Sequence, residues 1–331
     1  MKTMKAFITR SCGPEARFEA ADIPVPVPVS GQILIEVKAT SLNPVDNVFL
    51  RQDIGMNPEL PAVLHGDVAG VVSAVGQGVE GFKRGDEVYA CAGGFRGHGG
   101  ALAEFMAADA RLVAHKPRTL DFASAAALPL VAITAWEGLI DRANLRSGQH
   151  VLIHGGTGGV GHVALQLAKS KGARVATTVS SEDKAKIVRD LGADEIIFYR
   201  EQTVEQYVEN LTDGQGFDIV YDTVGGQNLD HSFAATRSKG QVINILAFRS
   251  HDLAPAFARG LIIHFENMSI PLLTGVGRER QGDILREVAK LVDEGNLKPL
   301  IHGQRFTFDE ANEAHGLFEA KKYTGKIVLT P

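Results

Sequence analysis

The spacing of apolar and polar positions divides the chain into two regions with different rhythms. In about the first 120 residues, short runs rich in apolar and β-branched side chains alternate with turns of Gly, Pro, Asp and Asn. These runs, at residues 5–9, 32–38, 68–75 and 87–90, predict β-strands. Residues 24–28 alternate proline with valine, which excludes a helix or a central strand and predicts an extended connector.

From about residue 120 the pattern changes to strands that alternate with helices. The predicted strands lie at residues 151–154, 174–179, 196–198, 219–221, 242–246 and 261–263, and the predicted helices at 160–171 and 182–191. This alternation predicts an α/β fold with a doubly wound parallel sheet.

The last part of the chain departs from this alternation. Two amphipathic helices, at residues 284–294 and 309–320, precede a final strand at 326–329. We therefore expect the tail to return to the first domain. The predicted domains are residues 1–124 with 271–331, and residues 125–270.

A glycine-rich turn lies between the first strand and the first helix of the second domain. Gly156, Gly158 and Gly161 fit the pattern G-x-G-x-x-G, with Gly159 and Val160 between them. The glycines permit a tight turn, a close approach of the backbone to a pyrophosphate, and close packing of helix on strand. The free N–H groups at the helix start would bind the anion. The turn therefore predicts dinucleotide binding; the alternative is a glycine-rich turn without a ligand.

The end of the next strand bears on the choice of cofactor. Enzymes that use NAD usually carry Asp or Glu there to bind the ribose 2′-hydroxyl group. This chain has Ser180 and Ser181 instead, with Lys184 one turn further. Hydroxyl groups and an ammonium group suit a 2′-phosphate, which predicts NADPH. The alternative is a serine-capped helix with a solvent-exposed lysine.

Composition excludes several other classes of protein. The 331 residues carry a net charge of -5, which gives no electrostatic reason for nucleic-acid binding. The N-terminal sequence lacks the apolar core of a signal peptide, and no apolar run is long enough to span a bilayer. We therefore expect a cytoplasmic protein without a membrane partner.

The chain offers little for metal binding or covalent catalysis. Cys12 and Cys91 are its only cysteines, and no C-x-x-C pattern occurs. Zinc requires three or four converging ligands, so we predict no metal site. We expect Cys91 to be a small core residue. The sequence also lacks a G-x-S-x-G pattern and a convincing pair of nucleophile and histidine.

A set of short motifs spread along nearly the whole chain resembles one family. The motifs are Ser-Leu-Asn-Pro-Val-Asp at 41–46, Gly-Asp-Val-Ala-Gly-Val-Val at 66–72, Gly-Asp-Glu-Val-Tyr at 85–89, Gly-Ala-Leu-Ala-Glu-Phe at 100–105, Ile-Thr-Ala-Trp at 133–136, the glycine turn, Leu-Gly-Ala-Asp at 191–194, Tyr-Asp-Thr-Val-Gly-Gly at 221–226, and Gly-Lys-Ile-Val-Leu at 325–329. Together they resemble the medium-chain dehydrogenase/reductases, and among them the zinc-independent quinone oxidoreductases related to ζ-crystallin.

The resemblance implies a β-rich GroES-like substrate domain built from both chain ends, a Rossmann domain between them, and a homodimer. It places Thr134 and Thr223 near the nicotinamide and its ribose. It places Ser180, Lys184 and Tyr199 around the adenosine 2′-phosphate. Residues 244–247, including Leu246, would border the cofactor, and Lys326 in the closing motif completes the predicted cofactor-binding set.

Two departures from the family pattern matter. Zinc-containing relatives have cysteine near the position of Asp46, and His-Glu where this chain has Gly66 and Asp67. Quinone reductases often have a tyrosine shortly after the Asn-Pro-x-Asp motif, whereas this chain continues Asn-Val-Phe-Leu. The expected substrate contact there is apolar.

The expected chemistry is transfer of hydride from NADPH to a quinone or an α,β-unsaturated carbonyl compound without metal. Asn43 is the predicted donor to the substrate oxygen; the alternative is an Asn-Pro turn that only shapes the loop. Reduction of alkenals or enoyl thioesters is a second possible activity. A non-catalytic NADPH-binding redox sensor is a third interpretation.

Overall fold

The structure is a computed structural model that describes residues 2–331. Its strands, in chain order, are β1 (Thr3–Thr9), β2 (Glu19–Pro24), β3 (Gln32–Ser41), β4 (Ala62–Val63), β5 (Asp67–Val75), β6 (Glu87–Cys91), β7 (Phe105–Asp109), β8 (Val113–His115), β9 (His150–His154), β10 (Arg174–Val179), β11 (Glu195–Phe198), β12 (Phe217–Asp222), β13 (Thr236–Asn244), β14 (Ile262–Phe265), β15 (Phe306–Thr307) and β16 (Val328–Thr330).

The helices are α1 (Pro44–Arg51), α2 (Phe122–Ala126), α3 (Pro129–Trp136), α4 (Gly159–Ser170), α5 (Glu182–Asp190), α6 (Val204–Thr212), α7 (Asn228–Ala235), α8 (Ala254–Arg259), α9 (Ile270–Thr274), α10 (Arg278–Asp293) and α11 (Ala311–Glu319). One π-helical segment, Glu137–Arg142, continues α3. No helix within residues 2–331 is both long enough and apolar enough to cross a membrane.

The chain forms two compact units, one of which is discontinuous in sequence. The first unit comprises the chain up to Ile133 together with Met268–Pro331, and the second comprises Thr134–Asn267. We expected the boundaries after residues 124 and 270. The first boundary falls later because α2 contacts β3, β5 and β16, and because the N–H group of Leu130 donates to Asp67 Oδ1 at 2.8 Å. These contacts hold the start of α3 to the first unit.

The first unit is β-rich, as the short apolar runs predict. Its larger sheet has the order β15-β16-β3-β5-β6-β8, with β7 paired to β3, and its smaller sheet has the order β2-β1-β4. The last strand, β16, runs antiparallel to β3, so that Val328 lies opposite Ser41. The tail therefore completes the first unit, as we expected from its loss of the alternating pattern.

The second unit contains a six-stranded parallel sheet in the order β11-β10-β9-β12-β13-β14. In the central strands β9, β10 and β12, residues on both faces of the sheet are buried, which agrees with their near-continuous apolar runs. Along the chain, the strand order reverses at β9, since β10 lies on one side of it and β12 on the other. Ligands of such sheets bind beyond the carboxyl ends of the strands at this point.

Candidate functional site

The glycine turn lies at the carboxyl end of β9, where the strand order reverses. Gly155 has a φ of 75°, and the N–H group of Gly158 donates to the Gly155 carbonyl oxygen at 2.8 Å. Helix α4 begins at Gly159, and Gly158 at its N-cap supplies no side chain to bind the first N–H groups. These donors and the positive end of the helix dipole suit a pyrophosphate.

The three glycines of the motif have different steric roles. A Cβ atom on Gly156 would lie 2.2 Å from Thr177 Oγ1, and one on Gly161 would lie 2.1 Å from the Gly155 carbonyl oxygen. Both positions therefore require glycine for packing within the protein. A Cβ atom on Gly158 would meet Gly155 O at 3.1 Å, so the fold itself excludes a methyl group there far less strongly. A bound ligand would therefore need the space that a Cβ atom on Gly158 would fill.

Four predicted residues lie together at the carboxyl ends of β10 and β11. Val179 pairs with Phe198 at the last positions of these strands, and the N–H group of Tyr199 donates to Val179 O at 3.3 Å. Ser180 and Ser181 follow one strand, and Tyr199 follows the other with 52% of its surface exposed. Lys184 lies in the first turn of α5.

Both interpretations of the serines and the lysine find support here. Ser181 caps α5, and its Oγ accepts from the Lys184 N–H group at 3.5 Å, so this serine does have a structural role. The Lys184 side chain is half-buried, and among residues 2–331 its ammonium group has no hydrogen bond or ion pair. The neighbouring carboxylates are occupied: Glu182 pairs with Arg189 at 2.5 Å, and Asp183 with Lys186 at 3.5 Å.

Thr134, Thr223 and Leu246 also belong to the second unit. The Thr223 hydroxyl group donates to the His154 carbonyl oxygen at 2.6 Å, next to the glycine turn. The Leu246 N–H group donates to Asn244 Oδ1 at 3.1 Å, just beyond β13. The Thr134 carbonyl oxygen accepts from the Tyr221 hydroxyl group at 2.7 Å in the buried part of the unit.

The sequence interpretation missed the residue that organises the loops beyond β12 and β13. The fully buried Asp222 carboxylate accepts from the N–H groups of Val224 at 2.9 Å and Gly225 at 3.0 Å. It also accepts from the side-chain amides of Asn228 at 2.8 Å and Asn244 at 2.9 Å. The motif at 221–226 contained this aspartate, but the spacing alone did not reveal its four partners.

In the first unit, Asn43 lies in a buried polar network. It precedes α1 as its N-cap residue, and its N–H group donates to Asp46 Oδ2 at 2.8 Å. Its Nδ2 donates to Asp67 Oδ2 at 2.8 Å, and its Oδ1 accepts from Lys326 Nζ. The side chain is inaccessible to solvent. These contacts fit the alternative in which Asn43 shapes the loop, and one N–H of its amide has no hydrogen-bond partner among residues 2–331.

Lys326, which we predicted to bind cofactor, lies in the same network. Its Nζ donates to the Leu42 carbonyl oxygen at 2.9 Å and lies 3.5 Å from Asp67 Oδ2. Its side chain is 3% exposed, and burial lowers the pKa of its ammonium group. These contacts make Lys326 a buried structural cation of the first unit rather than a free cation like Lys184.

The network does not fit a zinc ion. No group of three His, Cys, Asp or Glu side chains within residues 2–331 could hold a metal. A Cβ atom on Gly66 would lie 2.9 Å from the Gly93 carbonyl oxygen, so a histidine ligand has no room at that position. The positive charge beside Asp67 comes from Lys326. Cys91 is fully buried in the core, and burial raises the pKa of its thiol well above the usual range.

A pair of buried histidines escaped the sequence interpretation. His65 Nε2 and His315 Nε2 lie 3.0 Å apart, although 250 positions separate them in the chain. His315 Nδ1 contacts Asn47 Oδ1 at 3.1 Å. Burial lowers the pKa of His65, and it lowers that of His315 to about 3. Both rings are therefore neutral near pH 7.

Comparison with known proteins identifies two family models and several relatives that match this chain. A family model of the alcohol dehydrogenase GroES-like domain matches residues 29–118, and a model described as zinc-binding dehydrogenase matches residues 191–329. A quinone oxidoreductase of Rattus norvegicus is 30% identical over 318 residues, which cover 96% of this chain and 94% of that protein.

Two further relatives bear on the cofactor and the substrate. An Arabidopsis thaliana protein named as a chloroplastic NADPH-dependent alkenal/one oxidoreductase is 33% identical over 339 residues, covering 100% of this chain and 80% of that protein. A mycobacterial protein solved in complex with NADPH is 31% identical, with a TM-score of 0.86 over 99% of this chain and 100% of that one.

The GroES-like first unit and the parallel sheet with its glycine turn define an oxidoreductase of the alcohol dehydrogenase superfamily. The chain belongs to the quinone oxidoreductase family of the medium-chain dehydrogenase/reductases. This confirms the resemblance and the fold class inferred from the sequence.

Proposed function

We propose that this enzyme uses NADPH to reduce quinones or α,β-unsaturated carbonyl compounds without a metal ion. The observation that carries the choice of cofactor is the edge formed by Ser180, Lys184 and Tyr199, where an unpaired ammonium group replaces the carboxylate typical of NAD enzymes. The rat and Arabidopsis relatives, by their names, support the substrate classes. The mycobacterial NADPH complex supports the cofactor.

The residues of the second unit fit the parts of this cofactor. The N–H groups of the glycine turn would bind the pyrophosphate, and Lys184 the 2′-phosphate. Thr134, Thr223 and Leu246 are proposed to border the nicotinamide half. Bound NADPH would supply the hydride. The protein would bind the cofactor and the substrate, orient them for hydride transfer, and exclude water from the reacting atoms.

Because the Asn43 side chain has no solvent-accessible surface, we propose that it shapes the loop before α1, and that other donors stabilise the negative charge that develops on the substrate oxygen. Lys326 and Asp67 hold its amide in one orientation, because one contacts Oδ1 and the other Nδ2. Lys326 is thus proposed as a positioning residue rather than a direct contact of the cofactor.

A turnover assay tests the proposal directly. Purified enzyme is given NADPH or NADH together with a panel of small quinones, alkenals, enones and an enoyl thioester, with and without a strong chelator. We expect NADPH oxidation with quinones or enones and no effect of the chelator. Binding of NADPH without turnover of any panel member would favour a redox sensor. Loss of activity on chelation, together with one zinc per chain, would contradict the metal-free reaction.

A homodimer formed through the second unit is also proposed. Strand β14 ends the parallel sheet, and within residues 2–331 it pairs only with β13. Its Ile262 is 52% exposed and its Phe265 55% exposed. An unpaired edge with exposed apolar side chains suits a second copy of the chain. The cytoplasmic location expected from the sequence stays a prediction.

A further inference from the structure

We propose that Arg200 is a second cation that recognises the 2′-phosphate of NADPH and so determines cofactor specificity together with Lys184. This inference rests on the proposed function, because it assigns a residue to the same phosphate site. The sequence interpretation did not include Arg200.

The position of Arg200 follows from the pairing of two neighbouring strands. Phe198, the last residue of β11, lies opposite Val179, the last residue of β10. Tyr199 still donates its N–H group to Val179 O at 3.3 Å. Arg200 is the next residue, so it leaves the sheet beside the point where Ser180 begins the turn into α5.

The guanidinium group of Arg200 is held by an aromatic ring rather than by a carboxylate. Its Cζ lies 5.8 Å from the centroid of the Tyr199 ring. Among residues 2–331 it has no hydrogen bond or ion pair, so its N–H donors are available. A planar guanidinium group that rests on a ring loses less entropy on binding and matches two phosphate oxygens at once.

The balance of charge at this edge favours an added anion. Glu182 and Asp183 already pair with Arg189 and Lys186. Among the residues that the structure describes, Lys184 and Arg200 remain at this edge as cations without a partner, and Glu201 as a carboxylate without one. A phosphomonoester carries a charge of roughly -1.5 to -2 near pH 7, which one lysine cannot neutralise. Two cations of different geometry supply the charge and the orientation that such a group requires.

The test compares the affinities of five proteins for NADPH and NADH by equilibrium titration at two salt concentrations. The proteins are the wild type, Arg200→Ala, Arg200→Lys, Lys184→Ala and the control Lys186→Ala, which removes a cation of α5 that already pairs with Asp183. We expect Arg200→Ala to weaken NADPH binding about tenfold to a hundredfold, the range of a charge-assisted hydrogen bond, and the loss to shrink at high salt. Arg200→Lys should restore only part of the affinity.

Binding of NADH should stay within about twofold of wild type in every variant, which also reports that the variants are folded. If Arg200→Ala binds NADPH as tightly as wild type while Lys184→Ala does not, the inference about Arg200 is wrong and the proposed cofactor stands. If wild type binds NADH as tightly as NADPH, the proposed cofactor and this inference both fail.

Discussion

Individual side chains determine both the proposed specificity and the electrostatics of the buried network. At the edge formed by Ser180, Lys184 and Tyr199, Lys184→Ala should weaken NADPH binding about tenfold to a hundredfold and leave NADH binding nearly unchanged, because NADH lacks the 2′-phosphate. Titration of both cofactors against variant and wild type measures the difference. Equal loss of both cofactors would show that Lys184 supports the fold of the edge instead.

In the buried network, Asp46 should make the stability of the protein depend on pH. Burial raises the pKa of its carboxyl group from 3.8 to about 7, so the folded protein retains a proton that the unfolded chain has released. The stability from this group is fully present below about pH 4 and is lost as the pH rises through about 7. His65 and His315 have the opposite effect: burial lowers the pKa of both rings, so the protein loses stability from these groups as the pH falls below about 6.5.

The variant Asp46→Asn isolates this contribution, since asparagine keeps an oxygen for the Asn43 N–H group but does not titrate. We expect its free energy of unfolding, relative to wild type, to increase by on the order of 3 kcal/mol between pH 4.5 and pH 8. Urea unfolding at several pH values measures it. A difference that is independent of pH would show that Asp46 titrates normally in the folded protein.

At the scale of elements, we expect substitutions at two glycines of the turn between β9 and α4 to have different effects, one on packing and the other on cofactor binding. Gly161→Ala should lower stability by about 1–3 kcal/mol, because its methyl group meets the Gly155 carbonyl oxygen. Gly158→Ala should cost at most about 1 kcal/mol, the preference of an N-cap for glycine over alanine. Gly158→Ala should nevertheless weaken the binding of both NADPH and NADH. Thermal unfolding and cofactor titration distinguish the two effects, and undiminished affinity in Gly158→Ala would exclude the turn as the pyrophosphate site.

Comparison of the predicted elements with the observed ones shows which features local sequence patterns can predict. The helix that follows the glycine turn, expected at 160–171, is Gly159–Ser170, because glycine spacing and apolar periodicity specify it locally. Helix α6 was missed although Val204, Tyr207, Val208 and Leu211 follow a helical period after a Thr203–Gln206 capping box. The contact of Lys326 with Asn43 joins residues 283 positions apart, and such a pairing depends on strand topology that no local pattern contains.

For the whole molecule, the proposed dimer predicts a single substitution that yields monomers. Ile262→Lys places a charge on the exposed edge strand β14, and lysine is a residue that edge strands use to prevent pairing. Sedimentation analysis should show a dimer for wild type and a monomer for the variant. Val276→Lys, at an exposed apolar position of the first unit, is the matched control and should remain dimeric. A wild-type monomer, or a dimeric Ile262→Lys variant, would contradict the proposal.

The return of β16 to β3 has a consequence for synthesis on the ribosome. Residues 134–267 emerge as one continuous stretch, so the second unit has all its strands before the chain is finished. The first unit cannot complete its fold until the end of the chain has been synthesised, because Lys326 contacts Asn43 and Val328 pairs with Ser41. At about 5–20 residues per second, its earlier strands stay without these partners for roughly 15 to 60 seconds. During that interval the apolar side chains that pack against β16 in the finished fold are exposed, so we expect aggregation during synthesis to begin in the first unit rather than in the second.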